Sequence, residues 1–169
     1  PGCGWFTYGP LRGTPYAGQS GVDFWALSIL VLGIGSVGAN INFLATVLCS
    51  RAPQMTLRRF PLFTWMIFVN AFLVILALPV LNAGLVMLLI DRLLNTHFFL
   101  MPGGSAIMWQ HIFWAFGHPE VYIVSLPAFG LLSAIIPVFS RKPLFRSEFV
   151  AASPVASPFH TPSVRAPPL

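Results

Sequence analysis

Residues 107–140 read IMWQHIFWAFGHPEVYIVSLPAFGLLSAIIPVFS, a stretch in which Glu120 is the one charged side chain. A helix rises 1.5 Å per residue, so about 20 apolar residues cross a hydrocarbon core of about 30 Å. The stretch is long enough to span a bilayer. Working outward, Phe60–Ile90 and Phe24–Cys49 are also free of Asp, Glu, Lys and Arg. Three transmembrane helices therefore account for most of the chain, and the expected fold class is an all-α membrane protein.

Composition points the same way. Of 169 residues, 56% are hydrophobic and 8% charged, with a mean hydropathy of +0.80, where a soluble domain carries about 25% charge. The 16 Pro and 14 Gly do not make the chain disordered, because 16 Phe and 5 Trp must be buried in something. The net charge of +5 marks the boundaries of the spans and gives no reason to expect nucleic acid as a partner. Cys3 and Cys49 stand on either side of the first span and form no CxxC, so neither a disulfide framework nor a zinc site is expected. No short apolar segment with a cleavage site opens the chain, and Pro1 stands where an initiator Met would. The expectation is an internal stretch of a longer protein, without a signal peptide.

Arg51, Arg58 and Arg59 lie between the first two spans, and Arg141, Lys142 and Arg146 follow the third. Only Arg12 and Arg92 occupy the opposite connections. The positive-inside rule then makes residues 1–22 an external loop, with residues 23–145 as the three-helix membrane region. Pro61 opens the second span where a missing N–H is tolerated, and Ser105 is placed to cap the third helix. Residues 95–105 read as a simple connection. Pro79, Pro119, Pro127 and Pro137 fall inside spans, where they are expected to kink helices whose freed carbonyls find partners within a bundle.

The third span carries its chemistry in Gly117-His118-Pro119-Glu120-Val121-Tyr122. An ionisable group in the bilayer costs at least about 2.5–3.5 kcal/mol, so such a group calls for a reason. Glu120 lies about 20 Å along the helix from Ile107, too deep for its short stem to reach water. It reads as a proton carrier that alternates between neutral and charged forms. His118 and Tyr122, four apart, share a face with Trp114, whereas Glu120 points about 200° away from His118. His118 is either a metal ligand or an interhelical hydrogen-bonding group. Tyr122, one turn on, is placed to give a proton or an electron to whatever binds there, although alone it would read as a packing residue. On the first span Ser36, Asn40 and Asn42 read either as interhelical hydrogen-bonding groups or as a water-lined proton path. His111 reads as an ordinary interfacial histidine, and His97 and His160 carry no assigned role.

The run Trp109-Gln110-His111-Ile112-Phe113-Trp114-Ala115-Phe116-Gly117-His118-Pro119-Glu120-Val121-Tyr122 resembles the sixth transmembrane helix of subunit I of the haem-copper oxygen reductases. The resemblance extends through Asp91-Arg92, Leu78-Pro79-Val80-Leu81, Pro61-Leu62-Phe63, Arg51-Ala52-Pro53, Ile41-Asn42-Phe43 and Trp5. It implies that the chain corresponds to helices four to six of a twelve-helix bundle. On that resemblance His118 is one of three histidines holding copper B, and Tyr122 is the tyrosine cross-linked covalently to it. Glu120 is the carboxyl at the inner end of a proton channel, Ser36 and Asn42 lie along that channel, and Trp114 packs near copper B. Gly35 stands where many members have a second Ser.

The implied reaction is reduction of O2 to water with proton pumping in a respiratory chain, by a subunit holding copper and two haems. The implied partners are the remaining helices of subunit I, other oxidase subunits, cytochrome c or quinol as electron donor, and lipid. The implied location is a prokaryotic plasma membrane. The other histidine ligands and the channel-entry aspartate of the family are missing from these 169 residues. The chain alone is therefore expected to bind neither copper nor haem stably and to reduce no O2. A nitric oxide reductase subunit is the alternative within the superfamily, against which Tyr122 speaks. A non-catalytic small membrane or transport protein using Glu120 for proton coupling is the alternative outside it. After Phe145 the sequence departs from the family's pattern into a Pro-, Ser- and Ala-rich tail, 146–169, expected to be disordered or frameshifted.

Overall fold

A computed structural model describes residues 4–9, 20–53, 55–56, 59–99 and 103–142. Its elements are three helices, α1 (Gly21–Cys49), α2 (Leu62–Leu94) and α3 (Ala106–Ser140), each long and apolar enough to cross a membrane. Among the described residues there is no strand, so the all-α membrane class stands. The tail at 146–169 lies outside the described residues, as do Cys3, Arg12 and Arg58.

The helix ends follow local chemistry. The amide of Phe24 bonds to the Ser20 carbonyl at 3.0 Å, and Asp23 sits in the first turn of α1, where the helix dipole favours an acid. The Ser105 hydroxyl accepts from the Met108 amide at 3.3 Å, the capping bond expected for α3. Pro61 precedes α2 and its carbonyl receives the Trp65 amide at 3.0 Å. The second and third helices close on left-handed residues, Asn95 (φ 54°) and Arg141 (φ 50°), each just beyond the last helical turn. Pro79 lies within α2, and Pro119, Pro127 and Pro137 lie within α3, so none of them ends its helix.

The α2 helix runs four residues past Ile90, where the apolar span was expected to stop. Asp91 and Arg92 stay helical because both side chains are partnered and buried, at 2% and 8% exposure. The α1 helix likewise starts earlier, with Asp23 drawn into its first turn.

The chain forms two compact units, residues 1–39 with 75–118 and residues 40–74 with 119–169. In the first unit Asn82 packs on Gly33, and Arg92 pairs with Asp23. Ten residues back along α1 thus matches ten residues forward along α2, so these helix segments run antiparallel. Gly84 receives Ile112 of α3, and the core of this unit is Val22, Ala26, Leu81, Leu85, Leu88, Phe99, Trp109 and Phe113. In the second unit Gly130 of α3 lies against Met66 and Phe63 of α2. A Cβ on Gly130 would stand 3.1 Å from Met66 Cβ and from the Phe63 backbone, so tight that these neighbours would have to give by a few tenths of an ångström.

Candidate functional site

The α3 helix passes through Gly117-His118-Pro119-Glu120-Val121-Tyr122 unbroken. The missing N–H of Pro119 costs this helix one backbone bond without ending it. His118, Glu120 and Tyr122 are each half-buried. Helical register keeps His118 and Tyr122 on one face, one turn apart, and turns Glu120 to another.

Trp114 is 39% exposed, and its surroundings within the first unit are well defined. Its indole N–H donates to the Tyr8 hydroxyl, and its ring lies 5.2 Å from that of Phe6. Gly117 allows this placement, because a Cβ there would meet Trp114 Cε3 at 2.8 Å. The neighbouring Trp109, fully buried, donates its indole N–H to the Phe6 carbonyl at 3.0 Å. Phe99 meets Trp109 edge-on at 5.4 Å, and Trp5 meets both Trp25 and Phe113 in the same manner. The turn at residues 4–7 is thereby held on α3 immediately before His118.

Sequence reasoning missed what holds this aromatic layer. The Asp91 carboxylate accepts from the Thr96 hydroxyl at 2.6 Å and from the amides of Phe98 and Phe99 at 2.9 and 2.8 Å. The Phe98 carbonyl in turn accepts from the Ser105 amide at 3.1 Å. Residues 95–99 are consequently a fastened turn, where a plain connection was expected. One signal was present in the sequence: an acid in the last turn of a helix opposes the dipole and needs compensating donors. Arg92 binds the Asp23 carboxylate through Nε and, at 3.2 Å, through an NH2 group. That bidentate pair joins the start of α1 to the end of α2.

Ser36 and Asn42 are exposed on α1 and, six residues apart, are turned about 120° from one another. Asn82 Oδ1 and Asn70 Oδ1 are buried without a hydrogen-bond partner among the described residues. His97 and His111 are exposed. No group of three or more His, Cys, Asp or Glu side chains is gathered as a metal site among the described residues. The α3 helix carries two imidazoles, His111 exposed and His118 half-buried, and neither belongs to such a group among the described residues.

Three apolar helices, one of them carrying an imidazole, a carboxyl and a phenol within five residues, define a polytopic membrane protein with ionisable groups inside a span. The chain belongs to the cytochrome c and quinol oxidase polypeptide I family, whose profile matches residues 1–161. It is 50% identical over 142 residues to cytochrome c oxidase subunit 1 of Corynebacterium efficiens, covering 84% of this chain and 24% of that protein. The subunit 1 of Bacillus subtilis is 49% identical over 146 residues, covering 86% and 23%. That of Corynebacterium glutamicum is 49% identical over 142 residues, covering 84% and 24%. The chain thus spans about a quarter of the length of these relatives. Three spanning helices and bacterial relatives make it an integral membrane protein of the prokaryotic plasma membrane.

Proposed function

We propose that these residues form the part of a terminal oxidase's catalytic subunit that supplies one metal-ligating imidazole and two proton-handling groups to the site of O2 reduction. The observation that carries this reading is the unbroken course of α3 through His118, Glu120 and Tyr122, all half-buried within a span. In the complete subunit His118 holds copper B as one of several ligands. Copper bound there, with two haems, would supply the metal-centred electron chemistry of O2 reduction.

The remaining roles belong to this chain's own atoms. Tyr122 holds a proton at Oη one helical turn along α3 from His118. Glu120 holds and releases a proton at its carboxyl oxygens, which lie on a different face of α3. Pumping would require that it receive a proton from one side and pass it on to another. Ser36 and Asn42 supply hydroxyl and amide groups to the path leading to it. Trp114, fixed by Tyr8 and Gly117, sets the aromatic wall beside His118. The segment is oriented with Arg51, Arg59 and Arg141 toward the cytoplasm. Its partners are the subunit's remaining helices, the other oxidase subunits, and cytochrome c or quinol as electron donor.

The test is made in the complete subunit. E120Q and Y122F each lower O2 consumption by about a hundredfold or more, the scale set by loss of a positioned proton donor, while the haem spectra persist. Undiminished O2 consumption in both variants overturns the assignment.

A further inference from the structure

Residues 4–8 keep a shape that their own sequence does not favour. Thr7 is fully buried and stands at φ 49°, the left-handed region that a β-branched residue seldom enters. Its amide and its hydroxyl both reach back to the Gly4 carbonyl at 3.3 Å. A backbone held away from its preferred conformation persists only where the surroundings over-determine it. A hold from outside the segment comes from Trp109 of α3, wholly buried, whose indole N–H donates to the Phe6 carbonyl at 3.0 Å. Trp109 is itself wedged in place. Phe99 meets it edge-on at 5.4 Å, and a Cβ on Gly84 of α2 would come within 3.7 Å of its Cζ3.

The two residues that flank Thr7 are those that surround Trp114. The Phe6 ring lies 5.2 Å from that of Trp114, and the Tyr8 hydroxyl accepts the Trp114 indole N–H. Trp114 stands one turn before His118 on the same face of α3. An α-helical side chain leans toward the N-terminus of its helix, so the imidazole of His118 inclines toward the position that Trp114 fills. All of these residues lie within the first unit. We propose that Trp109 is a positioning residue. By pinning the Phe6 carbonyl it holds Phe6 and Tyr8 against Trp114, and through Trp114 it orients His118 for the metal. The last step rests on the oxidase reading of His118, whereas the link from Trp109 to Trp114 stands on the contacts themselves.

The experiment compares the complete subunit, purified with its haems, as wild type, W109F and F99L. W109F keeps a ring in the buried space and removes the N–H donor, whereas F99L loosens the packing on Trp109 and leaves the donor in place. The indole N–H of Trp114 is followed by 15N nuclear magnetic resonance, assigned by its absence in W114F, and copper affinity is read by competition with a chelator. W109F speeds hydrogen exchange at the Trp114 N–H by about fivefold, the loss of one hydrogen bond. It lowers copper affinity by about tenfold, as a change in the outer shell of a ligand does. F99L leaves both near the wild-type values, which a general loss of packing would not. Unchanged exchange at Trp114 in W109F overturns the proposal, as do unchanged copper affinity and equal effects from W109F and F99L. A wild-type subunit free of copper overturns the oxidase reading instead, and the exchange result then decides the tether on its own. Should W109F fail to assemble with haem, the wild type decides. The indole N–H groups of Trp109 and Trp114 then exchange through one shared opening, at rates within about threefold of each other, and a wider gap overturns the proposal.

Discussion

Asp91 and Arg51 each sit in the neighbourhood of a helix's last turn, and the chain uses them in opposite ways. Asp91 is buried and accepts three hydrogen bonds, so its charge is spent on ordering residues 96–99. Arg51 is exposed and makes one bond to the carbonyl three residues before it. The carboxylate works inward, fastening a turn that carries Phe99 under Trp109. The guanidinium works outward, toward whatever surrounds the protein. Burial explains the difference: an ionised group withdrawn from water must have all its partners inside the fold, whereas an exposed one can find them in solvent or headgroups.

If this contrast is right, substitutions at the Asp91 end are costly and those at the Arg51 end are nearly silent in stability. The largest effect is expected for D91A, which strands one hydroxyl and two amides. A loss of about 4 kcal/mol follows from three charge-assisted hydrogen bonds. Hydrogen exchange at the Phe98 and Phe99 amides checks it, because D91A must deprotect both. R92A comes next, at about 2 to 3 kcal/mol. Its guanidinium is almost wholly buried, while the Asp23 carboxylate it abandons is 29% exposed and recovers part of its solvation. A double-mutant cycle with D23N measures the pair alone. Gly130→Val, which drives a branched side chain into Met66 and the Phe63 backbone, is expected to cost about 1 to 2 kcal/mol. Thermal unfolding in detergent reads this loss directly, and a Gly130→Val chain as stable as the parent would mean that α2 and α3 do not meet there. R51Q should shift stability by no more than about 0.5 kcal/mol. A large loss for R51Q would erase the contrast between the two ends.

The three helices were legible because hydrophobic run length is a property of the sequence alone, and so was the Ser105 cap, a local signal. The ends of α2 and α1 were misjudged by three or four residues for one shared reason. Asp23, Asp91 and Arg92 lie just outside the apolar runs, and their helical state depends on partners up to 69 positions away. The fastened turn at 95–99 is marked in the sequence only by the acid at the end of α2, because the amides that Asp91 gathers belong to residues of no distinctive type. The site residues on α3 stood out because ionisable groups are rare in a span. Their face relations follow from helical register, which the unbroken course of α3 supports. The Tyr8–Trp114 bond was invisible for the same reason as the Asp23–Arg92 pair, since it joins residues 106 positions apart.

We propose His118 as a metal ligand of a larger subunit of which these residues are one part. Its most direct test is the copper content of the complete subunit, purified with its haems, as wild type and as H118N. Copper is expected in the wild type and is lost in H118N with the haem spectra retained. An H118N subunit that keeps its full copper would contradict it.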